Sequence, residues 1–462
     1  MTDFTAKAAK ISIKVIVDKV NKRAVYAETD YAFVDILFSF ITLPMGTIVK
    51  LLEKVDDKKF EVLRSFSNLY QSLKNFPERY LSIKNCKPML LNPRSLSYDH
   101  CRNLQLLLDE TEPYTSQEEY CRRFYRGSWD TGVFVSDIAT FIVTDDLCVM
   151  PYTSATSIRL LTDCGITNKS CLEEIKLDMG REQILCFLNA ALSFDSVFTY
   201  LVFNRASLIR DLVVPGQILS FHQIINLIKK GESSSSKFLL EVALQKSTGK
   251  LLFAEDKGDF VDFLFGLLSI PLGTVVGELL KGFSSLNCME NIIKSISDMS
   301  VGTYLKSQDI KDMLLKPHIG QHYTSKNQVF PLEGTSLHDS HTEHGDPRKD
   351  GLLLKRPGLF IVTDDLTITP SSSNSTISTL SSYNVSFDDV EKHEISIGLK
   401  EGLRMLKASL RSCSTTLTDS LKHQLEVIPS VRLRIRLVRT RFMNKVAANA
   451  GEERSARVYN KG

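Results

Sequence analysis

AETDYAFVDILFSFITLPMGTIVKLL, residues 27–52, and AEDKGDFVDFLFGLLSIPLGTVVGEL, residues 254–279, are two versions of one pattern. Phe33, Val34, Asp35, Leu37 and Phe38 return as Phe260, Val261, Asp262, Leu264 and Phe265, and Pro44, Gly46, Thr47 and Val49 return as Pro271, Gly273, Thr274 and Val276. Equivalent residues stand 227 apart from Ile11 to Leu52 without a gap. The spacing is 224 where Tyr80 and Leu81 meet Tyr304 and Leu305, and 219 where FIVTDDL at Phe141–Leu147 returns at Phe360–Leu366. A shrinking spacing places extra residues in loops of the first copy. Units this long exceed the few tens of residues of a solenoid repeat. The chain therefore reads as a duplicated globular protein: a first repeat domain over 1–231, a Ser-rich linker at 232–236, a second repeat domain over 237–425 and a basic tail over 426–462.

Within a copy, Ile11, Ile13, Val15 and Val17 alternate with residues of the other face, as do Phe238, Leu240, Val242 and Leu244, which is the period of a half-buried strand. A turn at Asn21-Lys22, or Thr248-Gly249, leads to a second strand. Val34, Leu37, Phe38 and Ile41 then follow at helical spacing on a segment apolar all round, ended by Pro44, and predict a central buried helix. Further strands and helices follow over Glu174–Leu177 and Arg181–Ser193, with counterparts at Glu394–Ile397 and Lys400–Leu410. The elements lack regular βαβ alternation, so the expected class is α+β, two tandem homologous domains, each a mostly antiparallel sheet covered by helices.

The 462 residues are 43% hydrophobic and 24% charged, ordinary globular proportions. MTDFTAKAAK at the start has neither the apolar core of a secretory signal nor the Arg-rich character of a transit peptide, so a cytoplasmic or nuclear location is expected. Nine cysteines without a CxxC pair read as reduced, largely buried thiols. The apolar runs Phe33–Val49 and Leu185–Phe203 carry Asp35, Pro44 and Gly46, and Asn189 and Asp195, and read as buried helices rather than membrane spans.

Several segments invite a chemical reading. Asp145-Asp146 and Asp364-Asp365 have the composition of an acid–base or metal pair, but suit a tight hairpin turn between two short strands better. P-x-G-T at Pro44–Thr47 and Pro271–Thr274 lacks the spacing and Lys of a phosphate loop, and reads as a helix stop with a new N-cap at Thr47. Asp35 and Asp262 read as structural carboxylates in a helix's first turn, stabilised by the dipole. His338, His341 and His344, with His318 and His322 upstream, have ligand chemistry for zinc, yet no cysteine stands beside them and the first copy has no counterpart. Gly165, which aligns with Asn384, predicts a left-handed helix C-cap. No catalytic, cofactor-binding or metal-binding residue is assigned, and no cofactor.

From Val431 onward nine Lys and Arg face two Glu, a surplus of seven positive charges in a chain whose total is +3. VRLRIRLVRTR alternates Arg432, Arg434 and Arg436 with apolar residues. That is a strand with one basic face, or a contact for an anionic surface or nucleic acid.

Ala27–Leu52, the KPMLLNPR segment at Lys87–Arg94, CRNLQLLLDETEP at Cys101–Pro113 and both FIVTDDL copies together resemble the plant-restricted domain of unknown function 674 family. The resemblance spans nearly all of residues 11–425. It implies a tandem protein without an established activity. A cysteine cluster common between the CRNLQL-like and FIVTDDL-like segments is reduced here to Cys121, and the basic tail departs from the family pattern. Two functions are in view: a non-enzymatic binding or scaffold protein with protein partners, or an enzyme or small-ligand binder using the Asp pairs in a cleft between the copies.

Overall fold

The computed structural model describes residues 10–55, 63–95, 97–108, 132–204, 237–320, 323, 325–332, 334–335, 351–410 and 415–428. In the first repeat, strands β1 (Ile11–Asp18), β2 (Arg23–Thr29), β3 (Phe141–Thr144), β4 (Val149–Pro151) and β5 (Leu172–Met179) form one antiparallel sheet in the order β4-β3-β2-β1-β5. In the second, β6 (Phe238–Gln245), β7 (Leu251–Asp256), β10 (Phe360–Thr363), β11 (Ile368–Pro370) and β12 (Val390–Ile397) repeat it as β11-β10-β7-β6-β12. A short parallel pair, β8 (Ile319–Gly320) with β9 (Gly334–Thr335), stands apart. Ile13 and Leu240 thus hold the same place in their sheets, and the α+β class with two homologous units is observed.

The match extends to irregularities. Both opening hairpins carry a bulge at the same place, between Ile16 and Val17 and between Ala243 and Leu244. Their turns contain left-handed residues at equivalent positions, Lys22 (φ +50°) and Gly249 (φ +70°).

Helices Tyr31–Phe40 and Asp259–Gly266 are buried on all sides, as their unbroken apolar composition requires. Phe33 meets Phe187 of the helix Arg181–Ser193 edge to face at 5.4 Å. On the outward face of each sheet a short helix covers a second, smaller cluster. Ser154–Asp163 lies over Val25, Tyr26 and Ile142, and Ser373–Ser382 over Ala243, Leu252, Phe253 and Ile361.

Both outer helices end as expected, with Gly165 at φ +72° and Asn384 at φ +53°. The Ile166 N–H donates to the Leu161 carbonyl at 2.9 Å and the Val385 N–H to the Leu380 carbonyl at 3.2 Å, closing the helix end. No atom lies within 4 Å of a Cβ built on Gly165, so its requirement is conformational rather than steric. Gly165→Ala should cost about 1 kcal/mol, and Asn384→Gly should cost nothing or gain a few tenths of a kcal/mol, read from urea unfolding midpoints.

Each repeat is long enough to enclose a core, yet apart from the two outward clusters the buried hydrophobic side chains described form one continuous set from Ile11 to Ile428. The cause is a reciprocal exchange. Helix Arg64–Asn75 of the first repeat packs on β11 of the second, and helix Asn287–Asp298 of the second packs on β4 of the first. The Ile368 N–H donates to the Ser72 hydroxyl at 2.9 Å, and the Val149 N–H donates to the Ser295 hydroxyl at 2.8 Å. Further along, the Lys355 N–H donates to the Tyr80 carbonyl at 2.7 Å and the Ser136 N–H to the Tyr304 carbonyl at 2.9 Å. Tyr80 stacks edge-on against Phe360 at 5.6 Å and Tyr304 against Phe141 at 6.3 Å. Every bond in this set has its counterpart at the equivalent residues, which is the signature of a self-complementary two-fold contact, here made within one chain.

Candidate functional site

Asp145 and Asp364 lie in hairpin turns, as expected, in three-residue loops, Asp145–Leu147 and Asp364–Leu366, closed by the Thr144–Cys148 and Thr363–Thr367 pairs. The Leu147 N–H donates to the Thr144 carbonyl and the Thr144 N–H to the Cys148 carbonyl, with Leu147 left-handed at φ +65°, as is Leu366 at φ +63°. This is a type I turn followed by a left-handed residue. Leu147 and Leu366 are the third residues of these loops and precede the next strands. Their side chains are fully buried, and that packing holds leucine in a conformation it seldom adopts.

The two aspartates of each turn have different duties. Asp145 accepts from the Thr199 N–H at 2.9 Å and the Thr199 hydroxyl at 2.5 Å, and Asp364 accepts from the Thr418 N–H and hydroxyl, both at 2.8 Å. They hold the first turns of helices Val197–Phe203 and Thr416–Leu425. Burial pushes Asp145 up to about 6, opposed by the Thr199 bonds, and pushes Asp364 upward against those of Thr418. Asp146 and Asp365 are held by the other repeat: Asn291 donates to the Asp146 carbonyl at 2.8 Å and Asn68 to the Asp365 carbonyl at 2.9 Å. Among the described residues the two pairs share no hydrogen-bond partner.

Asp35 and Asp262 are the most deeply placed carboxylates of the exchange, 2% and 0% exposed. Asp35 accepts from the Val133, Phe134 and Val135 N–H groups at 2.5, 2.9 and 3.0 Å. Asp262 accepts from Leu353 and Leu354 at 3.0 and 2.8 Å and from the Ser325 hydroxyl at 2.6 Å. These amides belong to the segments that reach the other repeat, so each carboxylate anchors the strap of the exchange. Asp35 is the fifth residue of its helix, beyond the first turn, and its role is to satisfy backbone donors rather than to meet the helix dipole. Sequence reading missed this duty. The available signal was a carboxylate within FVDILF, where burial demands partners.

Burial pushes Asp35 up to about 6, opposed by its three N–H donors and by Lys306, whose ammonium also donates to the Gly132 carbonyl. The unfolded value is about 3.9, so the folded chain holds the proton more tightly and stability falls as pH rises from about 4 through 6. Acidification from pH 7 to pH 5 should stabilise the chain by about 1 kcal/mol through Asp35 alone. Urea melts at the two pH values check this, with Asp35→Asn as the variant that removes this share while that of Asp145, also raised to about 6, remains.

P-x-G-T proves to be the dyad itself. Pro44 bridges Pro271, the Met45 N–H donates to the Ile270 carbonyl at 3.0 Å, and the Leu272 N–H donates to the Leu43 carbonyl at 2.9 Å. A Cβ on Gly46 would stand 3.0 Å from the Leu268 carbonyl, and one on Gly273 2.9 Å from that of Ile41, so glycine permits the approach of the repeats. Pro44, not Thr47, is the N-cap of helix Met45–Leu52. Thr47 and Thr274 instead donate to the Pro93 and Pro317 carbonyls at 2.7 and 2.8 Å. The Met45, Leu272 and Gly273 N–H groups are thus taken by carbonyls across the dyad and are not available to an anion.

A cleft of about 200 Å³ between Asn68, Ser72 and Phe76 of one repeat and Thr367–Pro370 of the other contains none of the four turn aspartates in its lining. It is smaller than the roughly 300–1,000 Å³ of ligand pockets. His322, His338, His341 and His344, the 232–236 linker, Cys121 and the tail from 429 lie outside the described residues. Among the described residues no three His, Cys, Asp or Glu are grouped to hold a metal, and no helix is long and apolar enough to cross a membrane. Of the seven described cysteines, Cys86, Cys101 and Cys288 are buried and the other four are partly so.

No curated protein and no solved structure matches the chain. The model of the family described as protein of unknown function (DUF674) matches residues 7–126 and 114–400, and the chain belongs to that family.

Proposed function

We propose that this chain is a non-enzymatic binding or scaffold protein, in which the interlocked repeats form a rigid body for protein partners. One observation carries the reading: the polar residues that recur in both repeats are spent on structure. Asp35 and Asp262 hold straps, Asp145 and Asp364 hold helix starts, and Ser72, Ser295, Asn68 and Asn291 tie each repeat to the other. Raised carboxyl pKa values accompany many catalytic sites, but here burial accounts for the rise and the structural hydrogen bonds oppose it. Sparse cysteines without a CxxC pair fit a reducing compartment, the cytoplasm or nucleus.

The test is purification from source tissue of the wild type and of an Asp146→Asn/Asp365→Asn variant, with native mass spectrometry of each. The expected result is the same co-purifying proteins in the same ratio for both. A small molecule or divalent ion retained by the wild type, and lost from the variant at unchanged melting temperature, would replace this reading with chemistry at the Asp pairs.

A further inference from the structure

Strand β5 ends the first sheet, and the residue before it shows which of its groups face outward. The Lys19 N–H donates to the Cys171 carbonyl at 2.9 Å, and the register with β1 runs unbroken from Asp18 opposite Leu172 to Ile11 opposite Met179. In an antiparallel ladder the N–H and C=O of one residue point to the same side. Cys171 therefore faces β1, and by the two-residue period so do the backbone groups of Glu173, Ile175, Leu177 and Met179. Those of Leu172, Glu174, Lys176 and Asp178 point away, and among the described residues they have no partner there. The equivalent edge of β12 differs, because the Gln424 side chain bonds both the N–H and the C=O of Ser396 and fills a rung.

Eight residues of open edge without Pro, Gly or bulge form a template for another strand. The charges select which strand fits. On the outward face Lys176 stands directly opposite Lys14, a like-charge pair that destabilises a sheet, and Lys14 is reached at 3.8 Å by Glu174. Glu174 and Lys176 are both exposed and lie one on each side of Ile175. A second β5 laid antiparallel across a dyad at Ile175 presents the same residues in reverse order, so each lysine meets a glutamate. A dyad at Glu174 or at Lys176 would set like charges face to face. One at Leu177 would leave Leu172–Glu174 beyond the end of the opposing strand. Edge charges of a single sign would repel their own copy, whereas this order of signs matches it.

We propose that β5 pairs with β5 of a second copy of this chain, antiparallel about a two-fold axis at Ile175, joining two five-stranded sheets into one. Glu174 would exchange both backbone hydrogen bonds with Lys176 of the second copy, and Leu172 with Asp178. The outward row Glu28, Lys14, Lys176 would end on the second copy's Glu174, which supplies the carboxylate that Lys176 lacks beside Lys14. On the inward face Ile175, half-buried against the core, would meet its own equivalent in the closer, non-hydrogen-bonded kind of pair. The contact is isologous and closes on itself, so it stops at two copies.

Sedimentation equilibrium of the full chain at low salt, with charge reversals at these two positions, tests this. The wild type should dimerise. Lys176→Glu and Glu174→Lys should each weaken the dimer about tenfold or more, since each turns two attractive cross-strand contacts into repulsive ones. Both side chains are exposed, so melting temperatures should stay near that of the wild type. An equimolar mixture of the two variants should dimerise as the wild type does, because every lysine of one then meets a glutamate of the other. Added salt should weaken the wild type and the mixture alike. A wild type that stays monomeric, or a dimer that both reversals leave intact, would overturn the proposal. Slow amide exchange at Glu174 and Lys176 in a monomer would overturn it equally, by assigning the edge to another part of the same chain.

Discussion

Replacing Asp35 with alanine is expected to lower the unfolding free energy of the whole chain by about 3–5 kcal/mol, the largest effect of any single polar substitution described. The side chain accepts three backbone N–H groups in a site from which water is excluded, and each donor left unpaired costs about 1–3 kcal/mol. Lost desolvation of the carboxylate returns part of that sum. Total stability of a folded chain is about 5–15 kcal/mol, so the loss consumes a large share of it. Because Val133–Val135 carries the strap that pairs with Tyr304–Lys306, the damage should reach the second repeat, with faster amide exchange at Leu305 as well as at Val135. Asp262→Ala should mirror it at Leu81 and Leu354. Asp35→Asn keeps an acceptor oxygen but turns an N–H₂ toward donors, and should fall between. A loss below 1 kcal/mol for Asp35→Ala would mean that the strap does not depend on the carboxylate.

Much of the fold was legible because the repeat supplied each local pattern twice. Helix Arg181–Ser193 has the expected bounds, and the exchange of Gly165 for Asn384 located a left-handed cap from residue chemistry alone. The outer strands were harder: β5 runs over Leu172–Met179, although only Glu174–Leu177 was recognised, because Glu173 interrupts at its start the inward series that Ile175, Leu177 and Met179 continue. The exchange of helices left no trace in periodicity. Helix Arg64–Asn75 presents one apolar stripe whether it covers its own sheet or that of the other repeat, and hydrophobicity does not name the partner. The turn aspartates were placed correctly in hairpins, but their bonds to Thr199 and Thr418 join residues 54 apart, beyond any local signal.

The second large effect follows from that exchange. The first repeat expressed alone, residues 1–231, should be a poor folder as a monomer. Its helix Arg64–Asn75 would lose β11 and its edge strand β4 would lose helix Asn287–Asp298, exposing buried side chains such as Phe76, which packs at 5.3 Å on Phe265 and at 5.5 Å on Phe360. Burial of one such aromatic is worth about 1.5–3 kcal/mol, and the straps and the Pro44–Pro271 contact would be lost with it. The isolated repeat should therefore bind ANS and aggregate, or form a dimer with itself through the same two-fold contact. Co-expression with residues 237–462 should restore a single cooperative unfolding transition.

Cleavage of the intact folded chain at a protease site placed between residues 231 and 237 tests the interlock most directly. The account predicts that the two fragments co-elute as one particle of unchanged size, and that they separate only when denaturant unfolds both in one transition. Fragments that part under native conditions, each keeping its own melting transition, would show that the repeats are independent domains and that the reciprocal contacts do not hold them together.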